Sequence, residues 1–217
     1  MDRAGILVSD FDGTMTERDF YSLVRGRWWT EAVEDPWQDY LAGHLSHFEA
    51  LRRFFACIDA DEPALEAMLA GMELDPEIGP AVRRLQDNGW EVIIASAGCA
   101  WYIDRLLAAA GVRVTVHANP GRLLPGRGLV MELPRQSPFF DPHIGIAKAA
   151  VVREALTRHP RVAFAGDGPP DLDPALLVDP SRRFARGFLA ERLAQRGEGF
   201  LPYARWSQLA DRLLAAG

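Results

Sequence analysis

The chain has 217 residues, 48% of them hydrophobic, and 24 Lys and Arg against 30 Asp and Glu give a net charge of −6. That length can bury one substantial core with room for a small second domain, and the acidic balance excludes a nucleic-acid binder that works by neutralising phosphates. No apolar run approaches membrane-spanning length, and Met1-Asp2-Arg3 leads into a strand without a signal-like stretch, so a soluble cytoplasmic protein is expected. Cys57 and Cys99 lie far apart with no metal-ligand spacing and are expected to be reduced and buried.

The first element, Gly5-Ile6-Leu7-Val8-Ser9, reads as a buried parallel strand. It runs into Asp10-Phe11-Asp12-Gly13-Thr14: two carboxylates one residue apart, then a glycine that lets the backbone turn sharply. Ligands of open α/β sheets bind beyond the carboxyl ends of such strands, so Asp10 and Asp12 are expected to face one site. Acids this close repel unless a cation lies between them or one keeps a proton. A hard divalent ion resolves the conflict, and magnesium, Mg²⁺, suits a site that also holds phosphate.

A helical pattern follows. Thr16 can N-cap a helix beginning Glu17-Arg18-Asp19, with Phe20, Leu23, Val24, Trp28 and Trp29 recurring along it. Asp35-Pro36 interrupts, and a second helix runs through Trp37, Tyr40 and Leu41. Ser46 with Glu49 makes a Ser-x-x-Glu capping box for a third, whose apolar face carries Phe48, Leu51, Phe54 and Phe55. Asp61-Glu62-Pro63 opens a fourth. Residues 16–73 therefore read as a small all-helical cap domain inserted after the first strand, with 1–15 and 74–217 as the core. The aromatic residues are expected mainly to pack within the insertion, and the five histidines have no common spacing or partner; His44 and His47, at i and i+3, could form a metal pair but read rather as solvated surface.

An α/β alternation then resumes. A helix through Ile78, Val82 and Leu85 ends at Asn88-Gly89, and a second strand over 90–95 ends at Ser96-Ala97-Gly98. A helix near 100–110, a strand over 112–116 and a Gly- and Pro-rich stretch over 118–143 follow, the last with a hairpin turning at Pro125-Gly126-Arg127-Gly128. A helix over 144–156 carries Lys148, and a strand over 161–165 ends at Gly166-Asp167-Gly168. Shorter units near 188–195 and 206–215 close the chain. The pattern implies a doubly wound, mostly parallel sheet, whose strand tips bring Asp10 and Asp12, Ser96, and Asp167 to one crevice. Lys148 is the only lysine; every other basic residue is Arg.

In chain order, Asp10-x-Asp12, Ser96, Lys148 and Gly166-Asp167-Gly168-Pro169-Pro170-Asp171 resemble the four motifs of the haloacid dehalogenase superfamily, which is mostly phosphatases. The resemblance implies Asp10 as nucleophile and Asp12 as general acid and base, with the Asp12 backbone carbonyl also ligating Mg²⁺. It implies that Ser96 and the amides of Ala97 and Gly98 hold phosphoryl oxygens, and that Lys148 contacts the nucleophile. Asp167 would ligate the metal and Asp171 would stand in its outer shell. An Asp at position 12 favours phosphate over halide, since halide needs no proton on leaving.

Two subfamilies with a helical insertion at this point share the layout: phosphoserine phosphatases and the methionine-salvage phosphatases acting on 2-hydroxy-3-keto-5-methylthiopentenyl-1-phosphate. Asp10 to Thr16 followed by Asp19, Leu45-Ser46 with Glu49, Arg53 and Phe55, and the late segments Phe184-Ala185-Arg186 and Leu201-Pro202-Tyr203 resemble the second more. Its substrate is the first expectation and phosphoserine the second. Asp19 is the candidate for a polar substrate group and Arg53 for a phosphate or carboxylate. One departure is the stretch 142–147, which lacks the cysteines such relatives often carry before the lysine. The expected partner is a small phosphorylated metabolite, with no nucleic acid or membrane, and the protein is expected as a monomer or homodimer. A phosphotransferase or mutase, and a catalytically idle binding protein of the same fold, are the rival readings.

Overall fold

The computed structural model describes residues 4–29 and 35–215. Strand β1 (Gly5–Ser9) is followed by helices α1 (Phe20–Trp28), α2 (Pro36–Leu41), α3 (His47–Ala56) and α4 (Glu62–Leu69). Then come α5 (Ile78–Asp87), β2 (Trp90–Cys99), α6 (Ala100–Ala109), β3 (Thr115–Asn119), and the antiparallel pair β4 (Gly121–Leu124) and β5 (Gly128–Met131). A second small pair, β6 (Phe140–Asp141) and β7 (Gly145–Ile146), precedes α7 (Lys148–Arg158). The chain closes with β8 (Val162–Gly166), α8 (Leu172–Leu176), β9 (Arg183–Ala185), α9 (Gly187–Gln195), β10 (Leu201–Pro202) and α10 (Ser207–Ala215).

The described residues form one six-stranded sheet in the order β10-β9-β8-β1-β2-β3, with every pairing parallel. The chain winds from β1 toward β3, then returns to the other side of β1 and winds outward through β8. The strand order therefore reverses at β1, where open α/β sheets form their binding crevice. Period-two alternation divides the core. Leu7, Val92 and Ile94 face one side with the helical insertion, while Ile6, Val8, Ile93 and Phe164 face the other with α7 and α9. Ser9 pairs with Ile94 and with Ala165, so Asp10, Ser96 and Asp167 emerge at one level.

Several boundaries differ from the sequence expectation. Thr16 does not cap α1, whose N-cap position is taken by Asp19. The Thr16 hydroxyl instead accepts from the Gly13 amide at 3.1 Å and donates to the Arg18 carbonyl at 3.0 Å, and Thr16 pairs with Leu74 across the base of the insertion. Ser46 caps α3 as expected, accepting from the Glu49 amide, but Glu49 turns to Arg52 and Arg53 rather than completing the box. The third strand starts at Thr115, later than 112, because Val112 is still tied to the Leu107 carbonyl at the end of α6. The helix expected from 144 begins at Lys148, since Gly145 and Ile146 pair with Phe140 and Asp141. Cys99 is buried, but Cys57 is exposed at the end of α3. Among the described residues no helix is long and apolar enough to cross a membrane.

Two contacts seat the helical insertion on the sheet. The Phe48 amide, an orphan donor in the first turn of α3, is satisfied by the His143 carbonyl at 2.8 Å. From α6, Arg105 reaches Glu62 and Glu66 of α4 while its guanidinium lies 3.9 Å over the Trp101 ring.

Candidate active site

Asp10 is fixed from its backbone. Its amide donates to the Ala165 carbonyl at 2.9 Å, and its carbonyl accepts from the Ser9 hydroxyl, itself held by the Trp206 indole N–H. The Asp10 carboxylate meets Lys148 Nζ at 2.7 Å, and the same ammonium meets Asp171 Oδ1 at 2.6 Å. Asp171 Oδ2 accepts the amides of Asp167 and Gly168, both at 3.0 Å. Lys148 is the first residue of α7, where a cation opposes the helix dipole, so it is held by the two acids rather than by its helix. Thr14 donates to Asp167 Oδ1 at 2.8 Å. Gly13 turns with φ +67°, and a side chain there would strike the Asp167 carboxylate.

Asp12 turns away from this network. Its Oδ1 accepts the Phe20 amide at 3.0 Å, the first of α1, and its Oδ2 accepts the Tyr102 hydroxyl at 2.7 Å. A Cβ at Gly98 would collide with that hydroxyl, so the residue must be glycine for Tyr102 to reach Asp12. Ser96 Oγ accepts the Gly98 amide at 2.9 Å, which engages a donor expected to face phosphate, while the serine O–H stays available. Asn119, at the end of β3, donates to the Ala97 carbonyl at 2.7 Å and so anchors the irregular last part of β2, which runs on through 96–98 rather than ending at 95 as expected. Asp10, Asp12, Ser96, Tyr102, Lys148 and Asp167 line one side of a cavity of about 320 Å³ whose other wall comes from α1, α2 and α3.

Residues 7–175, more than half of the chain, match the model of the haloacid dehalogenase-like hydrolases. The chain belongs to that family. It is 24% identical over 117 residues to a phosphoserine phosphatase of Idiomarina loihiensis, covering 52% of each chain, so it spans about half the length of that relative. To a 2-hydroxy-3-keto-5-methylthiopentenyl-1-phosphate phosphatase of Brevibacillus brevis it is 23% identical, over 97% of this chain and 94% of the other. A solved phosphoserine phosphatase carrying a phospho-aspartyl intermediate analogue superposes with TM-score 0.64 at 14% identity, covering 94% of this chain and 95% of that one.

The acid cluster of the hydrolase has the donor set for a hard cation. Carboxylate oxygens of Asp10, Asp167 and Asp171 all lie within 4.8 Å of one another. Burial, then the charges of Asp171 and Asp167, push the Asp10 carboxyl up, against the pull of Lys148. Asp167 is pushed up to about 7, by burial first and Asp171 next. Burial works against the Lys148 ammonium, but Asp10 and Asp171 outweigh it and hold its pKa above the usual value. These acids thus lack positive charge. Because Asp171 already serves Lys148 and two amides, Asp10 and Asp167 are the residues with carboxylate oxygens left for a cation, with Asp171 behind them. The Asp12 carboxylate, committed to Tyr102 and Phe20, stands outside the cluster.

A testable consequence follows from the raised acids. A carboxyl raised in the folded state contributes stability that is full below its ordinary pKa and is lost as pH rises through about 7 for Asp167. Cation-free protein should therefore lose thermal stability between about pH 4 and pH 8. Saturating Mg²⁺ should then raise Tm by roughly 5–10 °C at about pH 8 and far less at about pH 5. Scanning calorimetry with EDTA or Mg²⁺ measures this, and an equal shift at both pH values would contradict the cation site.

The expected cap residues are placed differently from one another. Asp19 lines the cavity and makes no capping bond to α1; burial raises its carboxyl. Arg53 does not line the cavity, contrary to expectation: it is exposed on α3 and paired with Glu49 at 3.1 Å. His47, read from sequence as solvated, lines the cavity instead and packs its ring against Trp37 and Tyr40. A signal for this was present. With Ser46 as N-cap, His47, Leu51 and Phe55 fall on one helical stripe, and all three face the cavity. Tyr102 and Asn119 carried no comparable signal.

Proposed function

We propose that this hydrolase is a Mg²⁺-dependent phosphomonoesterase working through an aspartyl-phosphate on Asp10, with residues 16–73 as its cap. The observation that carries the reading is the separation of two neighbouring carboxylates into two environments. Burial raises both carboxyls, but Asp10 is held to Lys148, whereas Asp12, raised to about 6 by burial first and the Asp19 charge next, is aimed by Tyr102 and Phe20. A carboxylate beside a fixed ammonium suits nucleophilic work, and one hydrogen-bonded apart from it suits proton transfer. In the first step an Asp10 carboxylate oxygen bonds to phosphorus, the ester P–O bond breaks, and the protonated Asp12 gives its proton to the leaving alkoxide. In the second, Asp12 takes a proton from water, the resulting hydroxide attacks phosphorus, and the P–O bond to Asp10 breaks to release inorganic phosphate. Ser96 and Lys148 hold the phosphoryl oxygens. Asp10, Asp167 and the Asp12 carbonyl would hold Mg²⁺, which would supply shielding of the negative charge that gathers in the site.

The relative aligned along nearly the whole chain supports a small phosphorylated metabolite of the methylthiopentenyl type, with phosphoserine as the alternative. Rapid acid quench with ³²P-labelled ester tests the chemistry: label should be trapped on protein in wild type, and phosphate released on turnover. No trapped label, or label passed wholly to an alcohol acceptor, would rule out this route.

The pH dependence gives a second test. Activity on an alkyl ester should fall as pH rises through about 6, where Asp12 loses its proton. Tyr102 stabilises the Asp12 carboxylate, so Tyr102→Phe should move that limb up by roughly 0.5–1 unit. With 4-nitrophenyl phosphate, whose leaving group needs no proton, the limb should flatten. A limb unmoved in the variant would remove Tyr102 from this role.

A further inference from the structure

We infer, on the phosphomonoesterase reading above, that the helical wall selects the leaving alcohol by charge and shape: it accepts an uncharged apolar tail and turns away one ending in a carboxylate. The wall is built from Tyr21, Trp37, Leu51, Phe55 and His47. Its rings are locked by one another. Tyr21 stacks on Trp37 with centroids 4.7 Å apart, and Phe55 meets Phe20 edge-on at 5.1 Å. Such a surface offers a tail rigid ring area for contact.

The charges on the cavity point the same way. Among the described residues lining it, Lys148 is the only Lys or Arg, and both Asp10 and Asp171 already hold it. Arg53, on the same helix as His47, points its guanidinium to Glu49 on the exposed side. His47 supplies no charge at neutral pH, because burial pushes it down to about 4, and its Nδ1 is buried without a partner. A carboxylate on the leaving group would therefore shed its water with no side-chain cation free to receive it, in a cavity that Asp19 also lines. An apolar tail brings no charge of its own to desolvate and displaces water from the rings. The selection thus disfavours a leaving alcohol whose tail ends in a carboxylate and favours an uncharged alkyl one.

A matched pair separates charge from everything else: n-pentyl phosphate and 5-(phosphonooxy)pentanoate, which share length and leaving-group basicity, with methyl phosphate as a tail-less control. In wild type, kcat/KM should favour n-pentyl phosphate over its carboxylate partner by about 100-fold. Trp37→Ala should lower kcat/KM for n-pentyl phosphate roughly 10-fold more than for methyl phosphate. Binding of the non-hydrolysable n-pentylphosphonate and 5-phosphonopentanoate, measured by calorimetry with Mg²⁺ present, reads the same selection without turnover. Equal affinities for the two phosphonates, or preference for the carboxylate, would overturn the inference. Selective binding with no hydrolysis of any ester would overturn the phosphomonoesterase reading and leave this one standing.

Discussion

Replacing Asp10 with Asn is expected to lower kcat by at least ~10⁴-fold while leaving the fold intact. The amide keeps the size of the side chain and can still accept from Lys148, 2.7 Å away in the native protein, but it lacks a lone pair nucleophilic enough to attack phosphorus. The surrounding bonds involve the backbone of residue 10, through Ala165 and Ser9, and survive the change. Stability without metal should even rise, because burial and two neighbouring acids disfavour the ionised carboxylate that is removed. The assay is single-turnover phosphate release beside thermal unfolding. Substantial activity in a folded variant would mean that Asp10 only ligates the metal.

Replacing Lys148 with Met is the second large effect, and it reaches stability as well as rate. The ammonium is almost fully buried, at 3% side-chain exposure, between Asp10 at 8% and Asp171 at 0%. Taking one partner from such a cluster leaves uncompensated buried charge, which typically costs about 3–5 kcal/mol. The loss should appear in urea unfolding at about pH 8 in EDTA and shrink toward about pH 5. The direction follows because Asp10 is already raised and, without Lys148, would be raised further: folded molecules take up protons before unfolded ones do, so acid restores stability. Turnover should drop about 10²–10³-fold, as expected when a donor to developing charge is removed. Lys148→Arg should not rescue it, since a planar fork does not replace a compact ammonium shared between two acids. Unfolding curves indistinguishable from wild type would show that the network does not depend on this lysine.

What could be read from the sequence was whatever repeats with a local period or ends an element. Strand β1 announces itself by five consecutive buried residues and ends in its two acids. The Ser46 cap, the Asp61 cap and the β4–β5 hairpin are settled by neighbours a few positions apart. Where a distant partner intervenes, local reading misplaces the element. Thr16 looks like a cap but closes the base of the insertion against Leu74, and residues 145–146 look helical but pair with 140–141.

The residues around the cavity divide along the same line. The chain alone determined a doubly wound parallel sheet, four polar segments at its strand ends and helix starts, and a single lysine among them, because parallel strands interrupted by helices bring their tips to one edge. Only the tertiary structure decided what each group faces there. Lys148 and Asp171 are 23 positions apart, Tyr102 and Asp12 are 90 apart, and Asn119 reaches Ala97 across 22, so each contact is set by sheet register and helix phase rather than by sequence neighbours. The same dependence turned Arg53 out toward Glu49 and His47 in toward the cavity, though both lie on α3. The two lie about 120° apart around that helix, and the docking of the Phe48 amide on the His143 carbonyl is part of what fixes which of them faces in.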